Sequence, residues 1–273
     1  MTWLGHSTVL LELGGLTIVA DPLLRHRVGL LRHADDAPPQ RRRLLATGVD
    51  VVLLSHLHHD HCDLPSLRRL ASPLVVAPPG SAAWLTRRDV PGVVELGPGE
   101  SADVGAGVVV HAVTAHHSGR REPFGPGAVA VGHLVEAAGV SAWLVGDTGL
   151  FPGMRSLRDR TRAGRIDVAA VPVWGWGPSL GPGHLDPLHA AEAVRRAGVH
   201  DAVPVHWGTL HPAGMRRVMT AHLATPGARF ARALAEPGDG PGAGPGAHGP
   251  RSHGPRAHVL QPGDALELPV PRS

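Results

Sequence analysis

Val51-Val52-Leu53-Leu54-Ser55-His56-Leu57-His58-His59-Asp60-His61-Cys62-Asp63 places four potential metal ligands, His56, His58, Asp60 and His61, within six positions directly after an apolar run. The run Val51 to Leu54 is short, rich in β-branched side chains and uncharged, which predicts a buried strand whose C-terminal end carries the histidines into a loop. Neutral imidazoles with a carboxylate suit zinc and related first-row divalent ions, whereas thiolate-rich sets suit purely structural zinc. On an extended segment His56 and His58 point the same way, while Asp60 and His61 lie past the strand end and can turn toward a second ion. The chain has 20 histidines, so some decorate the surface; here ligand type, spacing and the preceding strand agree, which is the context such a motif requires. His59 faces away from His58 and is expected outside the ligand set.

The spacing His56-x-His58-x-Asp60-His61 resembles the HxHxDH signature of the metallo-β-lactamase-fold hydrolases. The opening Trp3-Leu4-Gly5-His6-Ser7-Thr8-Val9-Leu10-Leu11-Glu12 and the later Ala20-Asp21-Pro22 look like the first hairpin of the branch that contains the L-ascorbate-6-phosphate lactonases and the N-acyl-phosphatidylethanolamine phospholipase D enzymes. Thr114-Ala115-His116-His117-Ser118-Gly119-Arg120, Gly146-Asp147-Thr148-Gly149 and His206-Trp207-Gly208-Thr209 follow in the order that branch shows. The resemblance runs from Trp3 to about Leu210 and implies an α/β fold, a four-layer αββα sandwich with the site at one edge between two sheets.

Length and composition agree with a single catalytic unit. A chain of 273 residues with 42% hydrophobic content can bury one large core. Its 26 basic residues are all arginine and nearly balance 23 acidic ones, a net charge of +3 that does not point to a nucleic-acid partner. Arg41-Arg42-Arg43 is the only arginine triple and reads as a solvated loop. A single cysteine, Cys62, excludes an intrachain disulfide framework and fits a small buried neighbour of the site. No signal-peptide pattern and no apolar run of membrane-spanning length is present, so a cytoplasmic location is expected, with peripheral membrane contact left open.

A hairpin is expected over residues 3 to 21 around Gly14-Gly15, then a loop with one short helix over 22 to 47. Asp63 to Leu70 reads as the helix after the histidine loop. Strands are expected at Leu74–Ala77, Val93–Leu96, Val108–Val113, Ala128–Glu136, Ser141–Val145, Val168–Val173 and Ala202–Val205, and a helix at Pro187–Ala197. The hydrolase domain occupies 1–235; residues 236–257, dominated by Gly, Pro, Ala and His, are expected as a disordered insertion; and 258–273 returns to the same domain as its terminal strand.

Carried over residue by residue, the resemblance puts His56, His58 and His116 on one metal ion, Asp60, His61 and His206 on the other, and Asp147 between them. His116 and His117 are adjacent and either can ligate; the family pattern, in which an aromatic and then Ser follow the ligand, selects His116. His206 competes with His211 and is favoured by its place at a strand end. The resemblance implies two divalent ions, zinc first, with manganese or iron permitted by the same ligands, and a metal-bridging hydroxide that attacks a small-molecule phosphodiester, lactone or related ester. Asp60 is expected to orient that nucleophile, and His184 to bind or protonate the leaving group. Asp186-Pro187 is equally a helix start that His184 merely precedes. Asp21, His6 and Arg120 are candidates for supporting the ligands, and Trp174 and Trp176 for lining the cleft or packing in the core. The alternatives are a nucleic-acid-processing hydrolase of the same fold and a non-hydrolytic di-iron redox or metal-sensing protein. Against the redox reading, His58 stands where di-iron oxygen-reducing relatives typically show a carboxylate.

Overall fold

The computed structural model describes residues 1–34, 38–70, 72–236 and 254–268. The first half of the chain runs β1 (Thr2–Gly5), β2 (Thr8–Leu13), β3 (Leu16–Ala20), β4 (Arg27–Val28), β5 (Leu31–His33), α1 (Pro39–Thr47), β6 (Val51–Leu53), α2 (Leu64–Leu70), β7 (Leu74–Ala77), α3 (Ala82–Thr86) and β8 (Val93–Glu95). The second half runs β9 (Ser101–Gly105), β10 (Val108–Ser118), β11 (Val129–Ala137), β12 (Val140–Leu144), a 3-10 helix (Pro152–Arg160), β13 (Ile166–Pro172), α4 (Pro187–Ala197), β14 (Val199–Val205), β15 (Leu210–Pro212), α5 (Thr220–Ala224), α6 (Pro226–Ala235) and β16 (Arg256–Ala257).

Two mixed sheets form, ordered β1-β2-β3-β6-β7-β8 and β16-β14-β13-β12-β11-β10-β9, with a small β15-β5-β4 sheet beside them. Each large sheet begins as antiparallel hairpins and continues as parallel strands: β3, β6, β7 and β8 in one, β12, β13, β14 and β16 in the other. Strand alternation explains the layering. In β2 and β3, Val9, Leu11 and Ile18 face the other sheet, while Leu10 and Val19 join Leu44, Leu67 and Leu85 of the helices outside. Helices α4 and α6 cover the outer side of the second sheet, where Ala190, Val194 and Phe230 are fully buried. The result is the four-layer αββα sandwich.

Local chemistry sets the element ends. Asp186 caps α4 by accepting hydrogen bonds from the Leu188 and His189 amides, Pro187 opens the first turn, and Gly198 ends the helix in the left-handed region. Gly146 turns the chain after β12 with φ +66, and a Cβ there would meet Ser55 Cβ at 2.8 Å. The parallel strands β3, β6, β12 and β14 all end at the same edge of the sandwich, so Asp21, His56, Asp147 and His206 emerge together, as ligand-binding groups do at the carboxyl ends of open α/β sheets.

Two expectations need correction. The Arg41-Arg42-Arg43 stretch is helical, and Arg41 is only 2% exposed, its guanidinium donating to the Leu4 carbonyl. The Gly-rich insertion expected to reach residue 257 ends sooner, because Arg256 and Ala257 pair with Asp201 and Ala202 of β14. Asp201 accepts hydrogen bonds from Arg256 and His258, which ties this strand to the sheet. The chain then crosses to β1, where Thr2 bridges Ala265. The expected disorder of 237–253 falls outside the described residues.

Candidate metal centre

Histidine and carboxylate side chains from both halves of the chain converge where the strand ends meet. His56 is fully buried, with Nδ1 2.9 Å from Ser55 Oγ. His61 donates Nδ1–H to Asp21 Oδ2 at 2.8 Å. His206 donates Nδ1–H to the Trp174 carbonyl at 2.8 Å, and His117 donates to the Gly183 carbonyl at 2.9 Å. Each of these last three rings therefore has its tautomer fixed by a backbone or carboxylate acceptor and turns Nε2 inward, the arrangement that prepares an imidazole to ligate.

The inward atoms crowd together. His61 Nε2 and His206 Nε2 are 3.2 Å apart, and Asp147 Oδ2 lies 3.2 Å from the first and 3.3 Å from the second. His58 Nδ1 is 3.2 Å from His117 Nε2, and Asp147 Oδ2 is 4.0 Å from His117 Nε2. Overlapping donor groups result, His56–His58–His117 and His6–Asp60–His61–His206, with Asp147 grouped both with His56 and His61 and with His117 and His184. Imidazole nitrogens and a buried carboxylate oxygen packed this closely repel unless protons or a metal cation lie between them. His56 Nε2 and Asp147 Oδ1 are also buried without a hydrogen-bond partner among the described residues. The donor set and these orphaned atoms fit divalent metal ions.

Charge compensation within the protein is already extensive. Burial alone would depress the His61 imidazole pKa, but Asp147, Asp21 and Asp60 outweigh it and hold it well above the ordinary value. Burial works to raise Asp147, yet His206 and His61 bring its carboxyl well below the usual range. His56, buried beside the cationic side of this cluster, is pushed well down by desolvation and by His61.

His116 stands apart from the cluster, correcting the choice made from the family pattern. Its ring is exposed and packs 5.0 Å from Phe151, while its backbone amide donates to Thr148 Oγ1. The ladder between β10 and β11 shifts register between Thr114 and Ser118, and that irregularity decides which of the two adjacent histidines faces inward. His184 joins the cluster from the loop before α4, with Nδ1–H donating to the Gly181 carbonyl and Nε2 3.5 Å from Asp147 Oδ2. His59 points out to the Glu122 carbonyl, and His211 bonds to the Pro212 carbonyl away from the site.

Of the three candidates for supporting the ligands, His6 and Asp21 contact the donor set and Arg120 does not. His6 donates Nε2–H to Asp60 Oδ2 at 2.8 Å, and its carbonyl accepts the His206 amide. Asp21 accepts from His61 and twice from Ser55. Arg120 instead is exposed and faces Glu122 at 3.7 Å. Its neighbour Arg121 is buried and donates to the Leu57 and Cys62 carbonyls, bracing both ends of the histidine loop. The Gly-Arg-Arg sequence held that candidate, but nothing in it says which arginine turns inward. Trp174 stacks on His222, and Trp176 is 42% exposed.

Residues 17–207 match the β-lactamase superfamily domain. The chain is 28% identical over 240 residues to N-acyl-phosphatidylethanolamine-hydrolyzing phospholipase D 1 of Caenorhabditis elegans, covering 78% of this chain and 64% of that protein. It is 31% identical over 217 residues to a protein named as a metal-dependent hydrolase from Methanoculleus marisnigri, covering 77% of this chain and 81% of the relative. Among solved structures, Igni18, a metallo hydrolase from Ignicoccus hospitalis, shares the fold with a TM-score of 0.69 at 20% identity, over 97% of this chain and 96% of that one. The chain spans less than two thirds of the length of the Caenorhabditis elegans relative.

Proposed function

The chain belongs to the β-lactamase superfamily, and from that premise we propose that it is a metal-dependent hydrolase that holds two divalent ions and cleaves a phosphodiester, lactone or related ester of a small molecule. The observation that carries this reading is the opposed pair of donor groups with the Asp147 carboxylate reaching both. His56, His58 and His117 would hold one ion, Asp60, His61 and His206 the other, and Asp147 would serve both. Zinc suits the set best, and manganese or iron remain compatible with it. The named activity of the Caenorhabditis elegans relative, hydrolysis of a phospholipid, supports an ester-cleaving reaction, and the name of the Methanoculleus marisnigri relative supports metal-dependent hydrolysis.

When bound, such ions supply Lewis acidity and make water acidic enough to act as a nucleophile near neutral pH. The chain's own residues supply orientation and proton handling. Asp60 is held at Oδ2 by His6, and its other carboxylate oxygen would accept a hydrogen bond from the attacking water. His184 is half-buried, fixed through Nδ1, and has Nε2 3.5 Å from Asp147 Oδ2, which supports reading it as the proton donor to the departing oxygen. Burial works against its charged form, but the Asp147 hydrogen bond and charge prevail and raise its pKa. The loop from Trp174 to Gly183 covers this side, with Gly175 packed near His206.

Turnover of bis(p-nitrophenyl) phosphate and of a panel of small lactones, before and after chelation and after metal is restored, tests the proposal. Chelator-sensitive hydrolysis that returns with metal is the expected result. Hydrolysis indifferent to thorough metal removal would overturn it.

A further inference from the structure

The core between the two large sheets is mostly apolar among the described residues. Val9, Ile18 and Ala20 from one sheet pack with Val131 and Val135 of β11, yet His133 sits between those two valines. It lies opposite Leu144 of β12 and Ala112 of β10 and is 1% exposed. Its Nε2 has no hydrogen-bond partner among the described residues. Burying an imidazole nitrogen in this way costs stability unless something pairs with it.

His133 faces a small cavity of about 20 Å³ beneath the metal-binding cluster, lined also by Asp21, Ser7, Ser55 and the Gly146 turn. A cavity needs about 10–15 Å³ of such volume and two to four polar partners to hold a water. Asp21 contributes a spare acceptor position. Its carboxylate takes hydrogen bonds from the Ser55 amide, Ser55 Oγ and His61 Nδ1, while a carboxylate offers about four such positions. Burial holds the His133 pKa down to about 4 against the pull of the Asp21 charge, so the ring is neutral and offers one N–H and one lone pair.

We propose that this cavity is an internal water site, in which one ordered water bridges the His133 imidazole and the Asp21 carboxylate and so extends the support of His61 across to the second sheet. His133 is then a positioning residue: it acts through the water on Asp21, which orients the inward-facing imidazole of His61. The same water adds a polar link between the two sheets directly under the cluster, beside the hydrogen bond from the Val131 amide to the Ser55 carbonyl. The site itself stands independently of the hydrolase reading; only the metal-affinity test below rests on it.

A crystal structure of the full chain at a resolution that places waters is the first test. The expected result is a density peak about 2.7–3.2 Å from both a ring nitrogen of His133 and an Asp21 carboxylate oxygen. A dry cavity would overturn the proposal, whatever the protein binds or hydrolyses. The second test compares H133L with H133Q by competition for zinc against a chromophoric chelator. Loss of a group that orients a ligand typically costs 10–100-fold in metal affinity, and one step further out we expect about three- to tenfold for H133L. H133Q, which keeps a polar atom at the cavity, should recover most of it, and this rescue is read even if H133L does not fold. Unchanged affinity in H133L, or affinity in H133Q as low as a full loss of the support predicts, would contradict the positioning role. A wild-type protein that binds no zinc would defeat the hydrolase reading and leave the water density to decide this one.

Discussion

Alanine substitution at His117 and, separately, at His116 distinguishes two neighbours that the structure treats very differently. His117 is one of three imidazoles in its donor group and is locked by its hydrogen bond to the Gly183 carbonyl. Four-ligand structural zinc sites bind with about 10–16 kcal/mol, or roughly 2.5–4 kcal/mol per ligand. Loss of His117 should therefore weaken binding at that group by roughly 100- to 1000-fold, taking about 1.4 kcal/mol for each factor of ten. His116 gives up only a ring contact with Phe151 at the surface, worth at most about 0.5–1.5 kcal/mol of stability. Metal competition with a chromophoric chelator, read beside a thermal melt, measures both quantities. H117A should lose affinity while keeping its fold, and H116A should retain wild-type affinity. If H116A loses metal and H117A keeps it, the placement of β10 at the cluster and the ligand assignment built on it are wrong.

His184→Ala should leave metal content unchanged and lower turnover by about 10²–10⁴-fold, the range for loss of a proton donor; equal loss of metal would sink the leaving-group role. Gly183→Ala should disturb the same region from the backbone, since φ is +76 and the new Cβ would meet the His116 carbonyl oxygen at 2.8 Å and His117 Nδ1 at 3.0 Å. About 1–2 kcal/mol of destabilisation is expected, accompanied by weaker metal binding; a variant identical to wild type in both would show that the loop yields freely. Burial works to raise the Asp201 carboxyl, but hydrogen bonds from Arg256, His258 and His200 bring it down to about 2. Because the folded-state pKa is depressed, this contribution is fully present above the ordinary carboxylate value and is lost as pH falls through about 2. Metal-free wild type should thus exceed Asp201→Asn by about 1 kcal/mol near neutral pH, with the gap closing in acid; a gap that widened in acid would contradict the assignment.

Much of the site is legible along the chain because it depends on local order. His56, His58, Asp60 and His61 follow from a strand end and short spacing, and the structure brings them to one place with Asp147 and His206. The capped start of α4 is likewise written in Asp186-Pro187. The choice between His116 and His117 was not legible, because an irregular stretch of β10 resets the alternation that a regular strand would keep. Nor was the burial of Arg41, whose side chain is satisfied by the Leu4 carbonyl 37 positions away. His6, a candidate from the first-hairpin motif, does reach Asp60, whereas the role of Arg121 depends on similar long-range closure onto Leu57 and Cys62. His133 reads as one polar residue in an apolar strand, and only packing of the two sheets reveals the cavity it faces.

Elemental analysis of the purified chain, as isolated and after reconstitution with zinc or manganese, measures the central claim most directly. Two ions per chain, falling to about one in H117A with the protein still folded, is the expected result. No bound metal in the reconstituted wild-type protein would contradict the reading of this cluster as a two-ion site.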